Sequence, residues 1–310
     1  MASTKGINYE SILISKPFKF IVGPEKQEFT LHAEVISRLS TSLNTLINGG
    51  MKEAAEGVAV WEDIDAETFI RLSKFAYTGD YDPPEPRLVA SSSSEKAADG
   101  EESHGSAELS SPRASTAAST VGISNGLESD AWGWEHEPAS PANSMTRGLS
   151  DCGWRAPPVQ RTRGTDRLWD DFTNCYKPRD RRGWGDGWSA PLGNWEGEDY
   201  SDVFVFHAKM AVLADYHGVP ALEMLACEKL TSVLSSFKLW AARVGDVARL
   251  ICYIYENTPQ LNCQSGLRQL VCQYAACKME ELWKCDEFKA AFETYIDFAK
   301  ELTEQLLKRL

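Results

Sequence analysis

No apolar run in this chain approaches the ~18–20 uninterrupted residues that a membrane-crossing helix needs, and Met1 to Glu10 lacks the basic and then apolar order of a secretory signal. There is no Asn-x-Ser/Thr sequon, and none of the eight cysteines stands at the Cys-x-x-Cys spacing of a zinc knuckle. Reduced thiols in an intracellular protein, of cytoplasm or nucleus, are the expectation, with most late cysteines acting as small buried hydrophobes. No Gly-x-Gly-x-x-Gly follows a strand pattern and no phosphate loop is present, so no cofactor is expected. Histidine is scarce, at five, and no Ser, Cys or Asp stands near one at a spacing that implies a triad; no metal site and no enzyme are expected. A net charge of −13 also lacks the basic excess by which a whole chain grips phosphates.

What is present falls into two apolar-patterned blocks around a polar middle. Phe18, Phe20 and Val22 alternate with Lys19 and Ile21, Gly23-Pro24 breaks the run, and Phe29 and Leu31 resume it, which predicts strand, turn, strand with one apolar face. Ala33, Ile36 and Leu39, then Leu43, Leu46 and Ile47, predict two short helices, with Ser40 as an N-cap and Gly49-Gly50 as a stop. Val58 to Trp61 predicts a third strand, and Asp65 the cap of a helix carrying Phe69, Leu72, Ala76 and Tyr77 up to Gly79. The fold class is α+β, a small sheet flanked by short helices.

From Asp82 the pattern collapses into Ser, Gly and Pro, and residues 82–200 are expected to form a long disordered insertion. Its second half is Trp/Arg-rich: seven of the ten tryptophans lie in the insertion, and Trp154, Trp169 and Trp184 are interleaved with the arginines that run from Arg155 to Arg182. Trp169, Trp184, Trp188 and Trp195 are the candidate anchors. Three readings stand open: packing onto the protein's own surface, anchoring of a protein partner, or stacking on single-stranded nucleic acid. The acids Asp166, Asp170, Asp171 and Asp180 oppose the last.

Order returns with Asp202 as the expected cap of a helix bearing Val203, Phe206, Met210, Leu213 and His217, stopped by Gly218. Pro220 opens the next, with Leu222, Leu225, Ala226, Leu230 and Val233. Beyond residue 239 an all-α extension is expected. One helix carries Val247, Leu250, Ile251, Ile254 and Tyr255, another Leu267, Leu270, Val271, Tyr274 and Met279. Phe288 to Leu306 reads as a last pair of turns or one long helix.

The stretches Lys16-Pro-Phe-Lys-Phe-Ile-Val-Gly-Pro-Glu-Lys-Gln-Glu-Phe-Thr-Leu-His32, Asn48-Gly-Gly-Met-Lys-Glu53 and Phe75-Ala-Tyr-Thr-Gly-Asp-Tyr81 resemble the BTB/POZ domain in its filamentous-fungal form. Val205 to Leu222, Tyr253 to Pro259 and Leu267 to Val271 resemble the helices that follow it. On this resemblance residues 1–15 are an N-terminal arm, 16–81 the BTB/POZ core, 201–238 the helices that complete the module, and 239–310 a helical extension. The resemblance implies a non-enzymatic protein-interaction module, in many members a substrate adaptor for a cullin-type ubiquitin ligase. Met51 and Glu53 stand at the place of the hydrophobic-x-acid cullin contact, in the loop before the third strand; a plain solvated loop is the competing reading. His32 stands where the family has a structural histidine. Pro17 and Ala33 replace an Asp and a basic residue that pair at the family's dimer seam, so homodimerisation stays open. No membrane partner is expected, and the alternative function is a nucleic-acid-associated regulator using the Trp/Arg-rich insertion.

Overall fold

A computed structural model describes residues 9–89, 163–176, 194–258 and 266–309. A short helix, α1 (Tyr9–Leu13), precedes β1 (Pro17–Val22) and β2 (Gln27–His32), which pair antiparallel with Phe20 opposite Phe29. The strand period of two turns Phe18, Phe20 and Val22 inward, at 3%, 0% and 1% exposure, and sends Lys19 outward to Glu28 at 2.8 Å.

Three helices, rather than the expected two, follow β2: α2 (Ala33–Ser37), α3 (Thr41–Asn48) and α4 (Lys52–Glu56). The additional turn covers Met51-Lys52-Glu53, read from the sequence as loop. Ala54 and Ala55 are strong helix formers, Lys52 reaches Glu56 one turn on at 3.7 Å, and Gly57 ends the turn. β3 (Val58–Trp61) then joins β1 in parallel, giving the order β2-β1-β3. In α5 (Ala66–Thr78) the Asp65 side chain accepts the Thr68 N–H at 2.8 Å, and Gly79 closes the helix at φ +78°, a conformation that glycine adopts without a Cβ penalty. Phe69 is the hinge-pin of the sheet's cover: its ring lies 5.1 Å from Phe20, 5.0 Å from Phe29 and 5.7 Å from Trp61.

Most of the stretch 82–200, expected to be disordered, lies outside the described residues, but those described within it hold two strands and a helix. β4 (Arg87–Leu88) pairs antiparallel with β5 (Glu198–Asp199), and the Val89 N–H donates to the Gly197 carbonyl at 2.8 Å, so the chain leaves and returns at one place. Between them, α6 (Arg163–Cys175) is a helix, because Thr165, Leu168, Trp169 and Phe172 fall on one face and bury it against the helices that follow.

The next helix, α7 (Ser201–Tyr216), begins one residue before Asp202, the expected cap. The N-cap is Tyr200, without a side-chain cap; the Asp199 carboxylate accepts the Ser201 N–H at 2.8 Å, while Asp202 turns out to Arg87 at 2.7 Å. Pro220 opens α8 (Pro220–Ser236), where the predicted Leu222, Leu225, Ala226, Leu230 and Val233 are all buried. A 3-10 turn at Ala241–Arg243 leads to α9 (Val244–Asn257), then α10 (Gly266–Cys277), α11 (Met279–Leu282), α12 (Asp286–Thr294) and α13 (Ile296–Leu307). The terminal pattern thus makes two helices with a break at Tyr295, and Ile296, predicted as part of the seam, is 66% exposed. Arg268 is buried and satisfied between helices: it bonds Thr258 Oγ1 at 2.7 Å and Glu301 at 3.4 Å, and lies over the Tyr255 ring at 4.5 Å.

Candidate protein-interaction surface

Ser40 is the local device that positions this surface. Its hydroxyl accepts the Leu43 N–H at 3.1 Å, capping α3, and donates to the His217 carbonyl at 2.7 Å, tying α3 to the end of α7. The His217 ring stacks on Trp61, centroids 4.4 Å apart and 19° between planes. Burial pushes its pKa down to about 4, so the imidazole is neutral at pH 7. This fixed end leaves Tyr216 projecting, 83% exposed. Along α3 the outward residues Thr41, Ser42, Asn44, Thr45 and Asn48 are exposed, polar and uncharged.

At the far end of α3, Met51 is the N-cap residue of α4 and 56% exposed. Glu53 lies in the first turn of α4, half-buried. Lys52 turns to Glu56, so the Glu53 carboxylate has no ion pair among the described residues. An exposed apolar side chain, a carboxylate free to pair and a neutral helix face between two anchors make a surface suited to another protein, in which a few residues carry most of the binding.

His32 lies apart from this surface. Its Nδ1 is 2.8 Å from the Tyr77 hydroxyl, which also accepts the His32 backbone N–H at 3.2 Å, so the residue braces the β2–α2 junction against α5. Pro17 sits opposite His32 in the sheet register, and Ala33 is buried with its N–H on the Lys16 carbonyl at 2.9 Å.

The tryptophans divide. Trp169 faces inward, 5.4 Å from Phe172 and 6.5 Å from Tyr274, with Lys278 Nζ 5.0 Å from its ring centroid. Trp195 is 56% exposed and lies over Gly197. Trp184 and Trp188 lie outside the described residues.

Sequence reasoning missed a buried polar cluster that joins the two blocks. Lys229 Nζ lies 2.5 Å from Asp80 Oδ1, donates to the Tyr81 carbonyl and stands 4.4 Å over the Tyr81 ring. The Tyr81 hydroxyl is 2.7 Å from His207 Nδ1. Burial, and then the Lys229 charge, push the His207 pKa down to about 3, while burial drives Tyr81 well above its ordinary value. A signal was there to read: Lys229 falls on the apolar stripe of α8, three residues after Ala226 and four before Val233. The thiols of Cys227 and Cys272 are pushed up to about 12 by burial, so both stay protonated at neutral pH. Among the described residues no group of three or more His, Cys, Asp or Glu is placed to hold a metal ion, and no helix is long and apolar enough to cross a membrane.

The described residues define a mixed α+β protein, mostly helical, with a three-stranded sheet and a two-stranded one. Set against family models, curated proteins and solved structures, the chain matches none.

Proposed function

We propose that the chain is a non-enzymatic protein-interaction adaptor of the BTB/POZ type that docks a cullin-type ubiquitin ligase on the α3–α4 surface. The observation that carries the reading is the pairing of an exposed Met51 with the uncommitted carboxylate of Glu53, at the place where the family resemblance puts its cullin contact. The short helices α2 to α5 against a three-stranded sheet also support it. The junction of α5 with α7 and α8 through Tyr81, His207 and Lys229 supports one module interrupted by an insertion. Met51 supplies apolar area to a partner and Glu53 a charge that selects a basic group on it. The nucleic-acid reading loses one of its stacking residues, since Trp169 is packed between Phe172 and Lys278.

Affinity purification of the full chain from cell extract is expected to recover a cullin. Glu53→Lys is expected to lower recovery at least five-fold while changing the melting temperature little, since the carboxylate makes no ion pair or side-chain hydrogen bond among the described residues. Equal recovery by both chains, or none by either, removes the ligase role.

A further inference from the structure

Six cysteines fall among the described residues, and of these Cys175 alone is exposed. It is the last residue of α6, three residues after the buried Phe172, whose carbonyl lies 2.9 Å from its Sγ. α6 packs directly on α8, and two side-chain contacts cross between them at this end. The Thr231 hydroxyl is within hydrogen-bonding reach of the Cys175 sulfur, and the hydroxyl of the next residue, Tyr176, bonds the Cys227 thiol.

Thr231 stands one turn after Cys227 on α8, and its Oγ1 donates to the Cys227 carbonyl at 2.8 Å. A single hydroxyl therefore links the Cys175 sulfur to the Cys227 backbone. Cys227 itself is buried. An exposed thiol set against a buried one across two packed helices is the arrangement of an attacking and a resolving cysteine. Burial raises both thiols, Cys227 to about 12, so neither thiolate is stabilised in the reduced chain. Such a pair exchanges slowly, but its disulfide resists reduction, because the strongly oxidising disulfides are those whose reduced form is stabilised.

We propose that Cys175 is a thiol-exchange site and Cys227 its resolving partner, together forming a reversible disulfide that fastens α6 to α8. The co-reactant is a low-molecular-weight disulfide such as oxidised glutathione. The Cys175 sulfur attacks one of its sulfurs, the small molecule's S–S bond breaks, and one glutathione leaves as a thiol carrying the proton that Cys175 gave up. Cys227 then attacks the Cys175 sulfur, and the second glutathione leaves in the same way. Two protein thiols are oxidised and one small disulfide is reduced to two thiols. The bond adds a covalent hold at the end of a helix that Thr165, Leu168 and Phe172 secure by packing. The pair shares no residue with the α3–α4 surface, so its failure leaves the cullin reading untouched.

The reduced full-length chain is incubated in glutathione buffers of graded ratio, and the remaining thiols are alkylated and mapped by mass spectrometry. Cys175 and Cys227 are expected to be lost together into a single linked peptide and restored by dithiothreitol. Amide hydrogen exchange in α6 is expected to be at least ten-fold slower in the oxidised chain than in the reduced one. Cys175→Ser, at an exposed position, is expected to keep the wild-type melting temperature under reducing conditions and to leave Cys227 free in every buffer. Cys175 recovered unmodified, only as a mixed disulfide with glutathione, or linked to any other cysteine overturns the proposal. So does loss of free Cys227 in the variant, or a linked peptide that forms only when helicity is lost. A linked chain whose α6 exchange is unchanged overturns it as well, because the bond would then fasten nothing.

Discussion

His207 shows how one buried side chain writes a pH dependence into the fold. Its folded pKa of about 3 lies below the ~6.5 of an unfolded histidine, so on acidification the unfolded chain takes up the proton first. The stabilisation is complete above the unfolded pKa and is lost as pH falls from there toward the folded one, at about 1.4 kcal/mol per pH unit. Around pH 5 this group alone removes about 2 kcal/mol. His217, pushed down to about 4, acts in the same direction. The urea midpoint is expected to drop between pH 7.5 and pH 5, and His207→Gln to shrink that drop; an unchanged drop would place the titration at other groups. Neither the neutral histidine nor the buried lysine could be read from composition. Lys229 sits on an apolar stripe, but its partners Asp80 and Tyr81 lie across the insertion, at a sequence separation of 148 residues for Tyr81, and local patterning carries no information about such pairs.

At the scale of elements, the sequence was legible wherever local chemistry decides the outcome. Ser40, Asp65 and Pro220 occupy helix starts because each satisfies or dispenses with an N-terminal N–H, and the strand alternation of Phe18, Phe20 and Val22 survives into the sheet. It was less legible where two signals compete. Asp199 and Asp202 flank the start of α7, where Tyr200 is the N-cap, and it is Asp199, held in β5, that takes the Ser201 N–H. In α6 the helical spacing of Thr165, Leu168, Trp169 and Phe172 was overshadowed by the surrounding arginines and aspartates; helix formation there needs the apolar face of α10. That dependence yields a test with opposed signs. Gly164→Ala is expected to raise the helicity of the isolated segment, since alanine is favoured over glycine by roughly 1 kcal/mol. In the protein the same change is expected to accelerate α6 amide exchange at least ten-fold, because its Cβ meets the Arg309 backbone. Slower exchange in the intact chain would mean that the close approach does not hold α6.

For the molecule as a whole, the two apolar blocks act as one folded unit. Lys209 reaches Asp65 at 2.9 Å, Ser40 bonds the His217 carbonyl, Trp61 stacks on His217, and Lys229 holds Asp80, all across the insertion. Cutting at a single engineered protease site within Ser93–Val159 is therefore expected to leave both fragments together on gel filtration in native buffer and to separate them only in denaturant. Fragments that part without denaturant would mean that the blocks do not share a core. The residue pattern alone does not show this joining, which was expected only from the resemblance of Val205 to Leu222 to the helices that follow such a module. The contacts that enforce it were not legible, because each pairs residues with no local relation.

The pairing of β4 with β5 bears on how this chain can change over time. With departure and return fixed by this pairing, α6 is the described part of the intervening chain that packs on the core, and the number of residues in between enters folding weakly, since each doubling of a closed loop's length costs about 0.6 kcal/mol. A change in the number of residues between β4 and α6 is thus expected to cost the fold less than a substitution at the buried Tyr81 or His207.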